Sequence, residues 1–95
     1  MKDMEEKSKE AAKFLSGMAN QHRLMILCQL VNGEKSVTEL IEATGLAQTS
    51  MSQHLSKLKS EGIVTFRRDH RTLYYRIDND VVLNIMNLLH GEFCK

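Results

Sequence analysis

The chain has 95 residues and a formal net charge of +1 at neutral pH, and 42% of its residues are hydrophobic. This length suits one domain with a modest core rather than several domains. No apolar run approaches the ~18 residues that a membrane span requires, and the charged segment 1–10 lacks the apolar stretch of a signal peptide. We therefore expect a single cytoplasmic domain over residues 1–95 that does not enter a membrane.

Two helices are predicted in the first third of the chain. The first spans residues 3–18, and its apolar side chains recur at helical spacing on one face. These side chains are Met4, Ala11, Phe14, Leu15 and Met18. The second helix begins after Asn20, whose side chain can accept hydrogen bonds from the first turn, and it runs to about Val31. Cys28 lies on its apolar face.

A helix-turn-helix is predicted for residues 36–59. Ser36 can accept a hydrogen bond from the amide three residues on and Glu39 can reach back, so the third helix opens with a capping box. Gly45 supplies the turn, and the fourth helix covers residues 48–59. Its apolar side chains at helical spacing are Met51, Leu55 and Leu58. The second helix of such a pair is the one that enters the DNA major groove.

The polar face of the predicted fourth helix is rich in side chains that read DNA and poor in acids. Amide, hydroxyl and imidazole groups are suited to hydrogen bonding with base edges. The residues predicted to contact base edges are Gln48, Thr49, Ser52, Gln53 and His54. Ser50 and Lys57 are expected to contact phosphates. The partner predicted by this face is double-stranded DNA.

A β-hairpin is predicted after the fourth helix. Residues 63–68 and 72–77 have strand character and flank the short loop Asp69-His70-Arg71. Positive charge is concentrated here, since residues 47–77 hold six basic and two acidic side chains. A basic hairpin beside a polar helix is the electrostatic pattern of a DNA-binding edge. The predicted contacts to the minor groove or to the DNA backbone are Arg67, Arg68, His70 and Arg71.

A fifth amphipathic helix is predicted from a cap at Asp78 or Asn79 to about His90. The order of four helices, a hairpin and a last helix predicts a mainly α fold with a small β-hairpin, the winged helix-turn-helix. A domain of this size cannot bury the apolar faces of both terminal helices on itself. We expect these helices to pair across a two-fold axis in a homodimer, which suits a palindromic operator.

Three stretches of the chain resemble one family. Residues 19–27, Ala-Asn-Gln-His-Arg-Leu-Met-Ile-Leu, are similar to the second-helix signature of the ArsR/SmtB family of bacterial repressors. Residues 45–55, Gly-Leu-Ala-Gln-Thr-Ser-Met-Ser-Gln-His-Leu, resemble its recognition segment. Residues 58–64 and the pair Tyr74-Tyr75 resemble its wing. The resemblance implies a dimeric cytoplasmic transcriptional regulator whose DNA affinity changes with a bound inducer.

Two positions depart from the pattern of this family. Ala47 stands where the family often has a capping serine, a loss of roughly 1 kcal/mol of helix stability unless Thr49 caps the helix instead. The wing tip lacks the glycine that the family usually has there.

The two cysteines, Cys28 and Cys94, are too few for a disulfide scaffold. A cysteine on an apolar helix face, as at Cys28, is often a small core residue, and Cys94 follows the end of the last helix. Their positions resemble those in the two-cysteine subgroup of the family that senses reactive sulfur or oxidants, the HlyU-, BigR- and SqrR-like regulators. The resemblance implies a redox-sensing pair that a persulfide, polysulfide or oxidant links through a disulfide or a short polysulfide bridge.

The metal sites for which the family is known are incomplete in this chain. Ser36 and Thr38 stand where the third-helix site needs nearby cysteines. The last helix has His90 and Glu92 near its end but no histidine near its start. We therefore expect no metal and no other cofactor. Two cysteines with scattered histidines leave a zinc or soft-ion site open as an alternative.

These patterns predict a sequence-specific DNA-binding regulator, either a repressor or an anti-silencer, that a cysteine pair controls. A metal-responsive repressor and a DNA-binding regulator with inert structural cysteines remain as alternatives. A dimer that binds proteins instead of DNA is a further class. An enzyme is not expected, because the sequence has neither a glycine-rich phosphate loop nor a nucleophile paired with a base.

Overall fold

The computed structural model describes residues 2–94. Its helices are α1 (Lys2–Met18), α2 (Gln21–Leu30), α3 (Val37–Thr44), α4 (Gln48–Ser60) and α5 (Asp80–Phe93). Its strands are β1 (Lys35–Ser36), β2 (Val64–Asp69) and β3 (Thr72–Ile77). The predicted winged helix-turn-helix is confirmed, and the boundaries of α1 to α4, β2 and β3 agree with the prediction within one residue. No helix within residues 2–94 combines the length and the apolar character that crossing a membrane demands.

The sheet has three antiparallel strands in the order β1–β3–β2. β2 and β3 pair along their full length and form the wing. The sequence prediction missed β1, because the two residues Lys35 and Ser36 carry no alternating pattern that could be detected. β1 forms where these residues meet Tyr75 and Tyr74 of β3. It is therefore a product of tertiary packing.

One cluster of buried side chains joins all five helices and the hairpin. Its largest fully buried members are Ile26, Leu27, Leu40, Met51, Leu55, Leu58, Ile63, Val64 and Val82. Burying a side chain of this kind contributes about 1.5–3 kcal/mol. Helices as short as α2 and α3 are marginal on their own, so this core holds them in place.

Side-chain caps fix the start of three helices. Asn20 accepts hydrogen bonds from two amides in the first turn of α2, as predicted. Ser36 and Glu39 form the predicted capping box of α3, and these hydrogen bonds lower the pKa of the Glu39 carboxyl. At α5 the cap is Asn79 and not Asp78. Each cap satisfies amides that have no partner within the helix.

The turn between α3 and α4 follows the sequence expectation at both ends. Gly45 has a φ of 74°, and its N–H donates to the Ile41 carbonyl oxygen at 2.8 Å, which closes α3. Ala47 occupies the N-cap position of α4, and no side chain accepts a hydrogen bond there. Thr49 lies within the helix and does not replace the missing cap.

The end of α5 differs from the prediction. The helix was expected to stop at about His90, but it continues through Gly91 to Phe93. The Cys94 N–H donates to the His90 carbonyl oxygen at 2.9 Å, so helical hydrogen bonding reaches the end of the described chain. The prediction was wrong because a glycine permits a helix to end without forcing it to.

The terminal helices keep large apolar side chains in solvent. Met4 and Leu15 of α1 are 64% and 49% exposed, and Leu88 and Phe93 of α5 are 72% and 81% exposed. Met18, at the end of α1, is buried in the core. The predicted apolar face of α1 therefore reaches the core at one end and is open along the rest. Exposed apolar surfaces of this kind mark sites of contact with other molecules.

Candidate functional site

The outer face of α4 presents most of its predicted DNA-contacting side chains to solvent. The exposed ones are Gln48, Thr49, Ser52, Gln53 and Lys57. Ser50 and His54 are half-buried. The opposite face of α4 is anchored by Met51, Leu55 and Leu58, none of which is more than 1% exposed. The buried face therefore holds the exposed face in a fixed orientation.

His54 faces α2 rather than open solvent. Its ring lies 5.6 Å from the ring of His22, edge to face. Partial burial lowers the pKa of His54, and the nearby charges of Arg23 and His22 lower it further. At neutral pH its imidazole is therefore uncharged and can donate one hydrogen bond and accept another.

Arg67 is engaged within the protein. Its guanidinium Nε donates to both carboxylate oxygens of Glu34 at 3.0 Å, and its Cζ lies 4.6 Å from the centre of the Tyr74 ring. The hydrogen bond from Arg67 also lowers the pKa of Glu34. The other predicted wing contacts, Arg68, His70 and Arg71, are exposed. The wing therefore offers three exposed polar side chains beside one that is tied to Glu34.

The tip of the wing contains a residue in the left-handed conformation. His70 has a φ of 59°, where a side chain costs about 1–2 kcal/mol relative to the usual region. Asp69 pairs with Thr72, so the loop is two residues long and not three as predicted. The left-handed backbone explains why a glycine suits this position, and here histidine occupies it.

The fold brings the two cysteines together between α2 and the end of α5. The Sγ atoms of Cys28 and Cys94 and one ring nitrogen of His90 all lie within 4.8 Å of one another. Cys28 is half-buried, His90 and Cys94 are exposed, and both thiols are free. We call these three residues the cysteine site.

His90 is the member of the cysteine site that sequence reasoning did not connect with the cysteines. It was considered together with Glu92 as part of an incomplete metal site. The sequence did contain a signal for this contact: His90 and Cys94 are four residues apart, and residues four apart on a helix lie on the same face. The predicted stop of the helix at His90 hid this spacing, since Cys94 then belonged to no helical turn.

The environment of the cysteine site disfavours the thiolate form of Cys28. Burial raises the pKa of the Cys28 thiol, and the charge and the hydrogen bond of Cys94 act in the same direction. A protonated thiol is a poor nucleophile toward reagents in solution. It can still attack a sulfur atom already bound to its neighbour, because proximity compensates for a small thiolate fraction.

An open apolar groove of about 430 Å³ lies beside the cysteine site. Its walls include Leu24 and Met25 of α2 together with Met86, Leu89 and Phe93 of α5. These side chains give reagents of low charge access to the sulfur atoms and provide little solvation for an ion. The groove therefore favours neutral species at the cysteine site.

Several transcriptional regulators are similar to this chain in sequence. Residues 20–65 match the family described as bacterial regulatory protein, arsR family. The transcriptional activator HlyU of Vibrio cholerae is 38% identical over 95 residues, which cover 100% of this chain and 88% of that protein. The biofilm growth-associated repressor of Xylella fastidiosa is 38% identical over 92 residues, which cover 97% of this chain and 81% of that protein.

Solved structures agree with these relationships. Reduced HlyU from Vibrio cholerae has a TM-score of 0.95 at 38% identity, with 100% of both chains covered. The homodimeric winged helix-turn-helix DNA-binding domain Mb0332 from Mycobacterium bovis has a TM-score of 0.80 at 34% identity, with 93% of this chain and 82% of that chain covered. The predicted fold class and the prediction of a protein that is not an enzyme are both confirmed. The chain belongs to the ArsR family of winged helix-turn-helix transcriptional regulators.

Proposed function

We propose that this regulator acts in the cytoplasm as a homodimer that binds a palindromic operator, with residues 1–95 of each chain forming a single domain. We further propose that a sulfur bridge between Cys28 and Cys94 changes its affinity for DNA. The approach of the two sulfur atoms to within 4.8 Å carries the proposal. A direct disulfide needs sulfur atoms about 2.05 Å apart. Sulfur atoms inserted in a polysulfide bridge reduce the movement that closure requires.

The proposed DNA contacts lie on α4 and on the wing. Base edges are contacted by Gln48, Thr49, Ser52, Gln53 and His54. Phosphates are contacted by Ser50 and Lys57. The wing contributes Arg67, Arg68, His70 and Arg71, and Arg67 must exchange the Glu34 carboxylate for a phosphate to take part. The exposed polar side chains of α4 and the basic hairpin support this assignment.

The proposed dimer interface consists of α1 and α5. The exposed Met4, Leu15 and Leu88 support it, and the Mycobacterium bovis relative is described as homodimeric. Changing Leu88→Glu places a charge in this apolar surface, which is costly to bury. Sedimentation should show monomers of this variant at concentrations where the unchanged protein is dimeric. Ala43→Glu on the exposed surface of α3 is the matched control, and equal dissociation of both variants would contradict the assignment.

The bridging chemistry balances with an organic persulfide as the reagent. The exposed Cys94 attacks the outer sulfur of R–S–SH, becomes Cys94–S–SH and releases the thiol RSH. Attack by Cys28 on the inner sulfur then forms the disulfide and expels hydrogen sulfide. If Cys28 also carries an extra sulfur, the same attack through that sulfur gives a trisulfide and again expels hydrogen sulfide.

The bridge acts on DNA binding through α2 and α5. It ties the end of α5, in the proposed interface, to α2, and α2 contacts α4 where the rings of His22 and His54 meet. A tether of this kind alters the relative placement of the two α4 helices in the dimer. The bridged form has to differ from the dithiol form in its free energy of DNA binding, and a difference of about 1.4 kcal/mol is tenfold in affinity.

The test combines intact-protein mass spectrometry with fluorescence anisotropy on an operator selected from random duplexes. After treatment with an organic persulfide, we expect sulfur atoms in a bridge that reductant removes, together with release of DNA. Cys28→Ser and Cys94→Ser should stay bound at the same dose. Dissociation of Cys28→Ser from DNA at the persulfide dose that releases the unchanged protein would contradict the proposal. Parallel treatment with hydrogen peroxide distinguishes sulfur sensing from general oxidation.

A regulator with inert cysteines is the second candidate. The raised pKa of Cys28 and its position among apolar side chains favour this alternative. It predicts DNA affinity that no thiol reagent changes. Both candidates predict that affinity falls steeply with salt, because phosphate contacts release counterions. A dimer that binds proteins instead of DNA would lack this salt dependence on duplex DNA.

A further inference from the structure

The proposed sulfur bridge uses two members of the cysteine site and gives His90 no role. A ring nitrogen of His90 lies within 4.8 Å of both sulfur atoms. Elsewhere in residues 2–94, no three histidine, cysteine, aspartate or glutamate side chains bring their ligand atoms so close together. We propose that Cys28, His90 and Cys94 form a zinc site whose fourth position is open to water.

The geometry of the cysteine site suits tetrahedral coordination after a small contraction. Zinc lies about 2.3 Å from thiolate sulfur and about 2.0–2.1 Å from imidazole nitrogen, which separates ligand atoms by about 3.5–3.8 Å. The three ligand atoms lie within 4.8 Å, so movements of about 1 Å close the shell around the ion. His90 and Cys94 are exposed at the end of α5 and can make this movement, while Cys28 is held by α2.

The ligand types select zinc over the hard divalent ions. Two sulfurs and one nitrogen suit zinc, whereas calcium and magnesium require oxygen ligands, and the cluster contains no carboxylate. Zinc with two thiolates and a neutral imidazole has no net charge, which suits the apolar groove formed by α2 and α5.

Zinc and the sulfur bridge exclude each other, because both use the same two sulfur atoms. Binding of zinc replaces the two thiol protons, which leave to solvent, and it transfers no electrons. A zinc-loaded protomer therefore presents no free thiol to a persulfide. The zinc site goes beyond the sulfur-switch function and does not depend on it, since the metal can bind whether or not the bridge forms.

The first experiment titrates the reduced, metal-free full chain with zinc in competition with a chromophoric chelator under nitrogen. We expect one zinc ion per protomer. Cobalt in place of zinc should give sulfur-to-metal charge-transfer absorption and the intense visible bands of a tetrahedral site. A protein that does not compete with the chelator, or that binds cobalt without charge-transfer absorption, overturns the proposal.

The decisive variant is His90→Gln, since it keeps both sulfur atoms. Loss of even an outer partner of a metal ligand costs 10–100-fold in affinity, so loss of the ligand itself should weaken zinc binding at least tenfold. His70→Gln at the wing tip is the matched control and should bind zinc as the unchanged protein does. Zinc affinity of His90→Gln within twofold of the unchanged protein rules out the three-ligand site. Circular dichroism verifies that both variants are folded.

The zinc site and the sulfur switch can fail independently. Metal-free His90→Gln should still form the sulfur bridge with persulfide, as mass spectrometry can establish. Zinc should slow bridge formation in the unchanged protein at least tenfold and have little effect in His90→Gln. Bridge formation at the same rate with and without zinc contradicts the proposed competition, while failure of the metal-free protein to form a bridge bears on the sulfur switch alone.

Discussion

The helices α4 and α5 are both amphipathic, but they differ in how much of their apolar surface the protomer covers. Leu55 and Leu58 of α4 are 1% and 0% exposed. In α5, Val82 is fully buried, whereas Leu88 and Phe93 are 72% and 81% exposed. α4 therefore has one apolar face, which the core covers, while α5 has a second apolar surface that the protomer leaves open. The proposed DNA-reading surface and the cysteine site are each complete within one chain, whereas the proposed interface needs a second copy.

At their N-termini, by contrast, α5 and not α4 has the stabilising side-chain contact. α4 begins at Ala47 without a side-chain cap, while Asn79 caps α5 by accepting hydrogen bonds from two amides. A helix end without a cap loses about 1 kcal/mol of stabilisation, which is small beside the burial of several large side chains. The core can therefore hold α4 in place without a cap. α5 contributes fewer fully buried residues, so we expect it to depend more on its cap.

The largest expected effect is on the core of α4. Leu55→Ala should lower the free energy of unfolding by about 2–5 kcal/mol, because it removes a fully buried side chain and leaves a cavity. Leu88→Ala on α5 is the matched change and should cost less than about 0.5 kcal/mol within the protomer. Urea denaturation at several protein concentrations separates this intrinsic cost from weaker dimerisation. A large cost for Leu88→Ala at concentrations where the dimer has dissociated would contradict the comparison.

The next effect concerns two glycines. A Cβ on Gly17 of α1 would overlap the carboxylate of Glu61 at the end of α4 and lie 3.1 Å from Ile63 Cδ1. These side-chain ends must move aside to admit the new methyl group, so Gly17→Ala should be less stable than Gly91→Ala by about 1–2 kcal/mol. A Cβ on Gly91 of α5 meets nothing within 4 Å, so Gly91→Ala should stabilise by about 0.5–1 kcal/mol through helix propensity. Thermal denaturation should give a higher melting temperature for Gly91→Ala than for Gly17→Ala, and equal shifts would contradict the comparison.

The caps should give a smaller effect. Asn79→Ala removes the cap of α5 and should cost about 1 kcal/mol, while Ala47→Ser can add a cap to α4 and gain up to about 1 kcal/mol. Ala47 has φ −65° and ψ 153°, the extended conformation that a capping residue needs. The midpoints of urea unfolding measure both changes. If Ala47→Ser gives no gain, the start of α4 is not limited by its missing cap.

The smallest effect is the pH dependence that His54 introduces. Because the fold lowers the pKa of His54 from its usual 6.5, the unfolded chain takes up a proton at higher pH than the folded chain. The contribution of His54 to stability is fully present above pH 6.5 and is lost as the pH falls through the lowered pKa. Melting temperatures of His54→Gln should fall less between about pH 7.5 and about pH 5.5 than those of the unchanged protein. His70→Gln is the control, and an identical fall in His54→Gln would refute the prediction.

Much of the fold was predictable because it depends on local patterns. The apolar spacing of α4, the capping box of Ser36 and Glu39 and the cap at Asn20 involve neighbours in sequence, so the sequence alone locates these elements. β1 and the continuation of α5 through Gly91 were not predictable from such patterns. The first depends on pairing with β3, and the second on a glycine that leaves both conformations open.

The candidate site divides in the same way. The outward polar face of α4 follows from helical periodicity, and the structure keeps most of it exposed. Two contacts of the predicted DNA-binding residues were not predictable. One is the contact of His54 with His22, and the other is the set of hydrogen bonds that tie Arg67 to Glu34. Both join residues of different elements, and no spacing within one element reports such contacts.

The sequence by itself determined the helix order, the polar face of α4, the basic wing and family membership, because periodicity, charge and motif spacing are properties of the chain. The tertiary structure decided what surrounds each sulfur atom. It placed His90 beside Cys28 and Cys94, buried Cys28 enough to raise its thiol pKa and opened an apolar groove next to the three side chains. These properties arise where α2 meets α5, from distances between residues far apart in the chain.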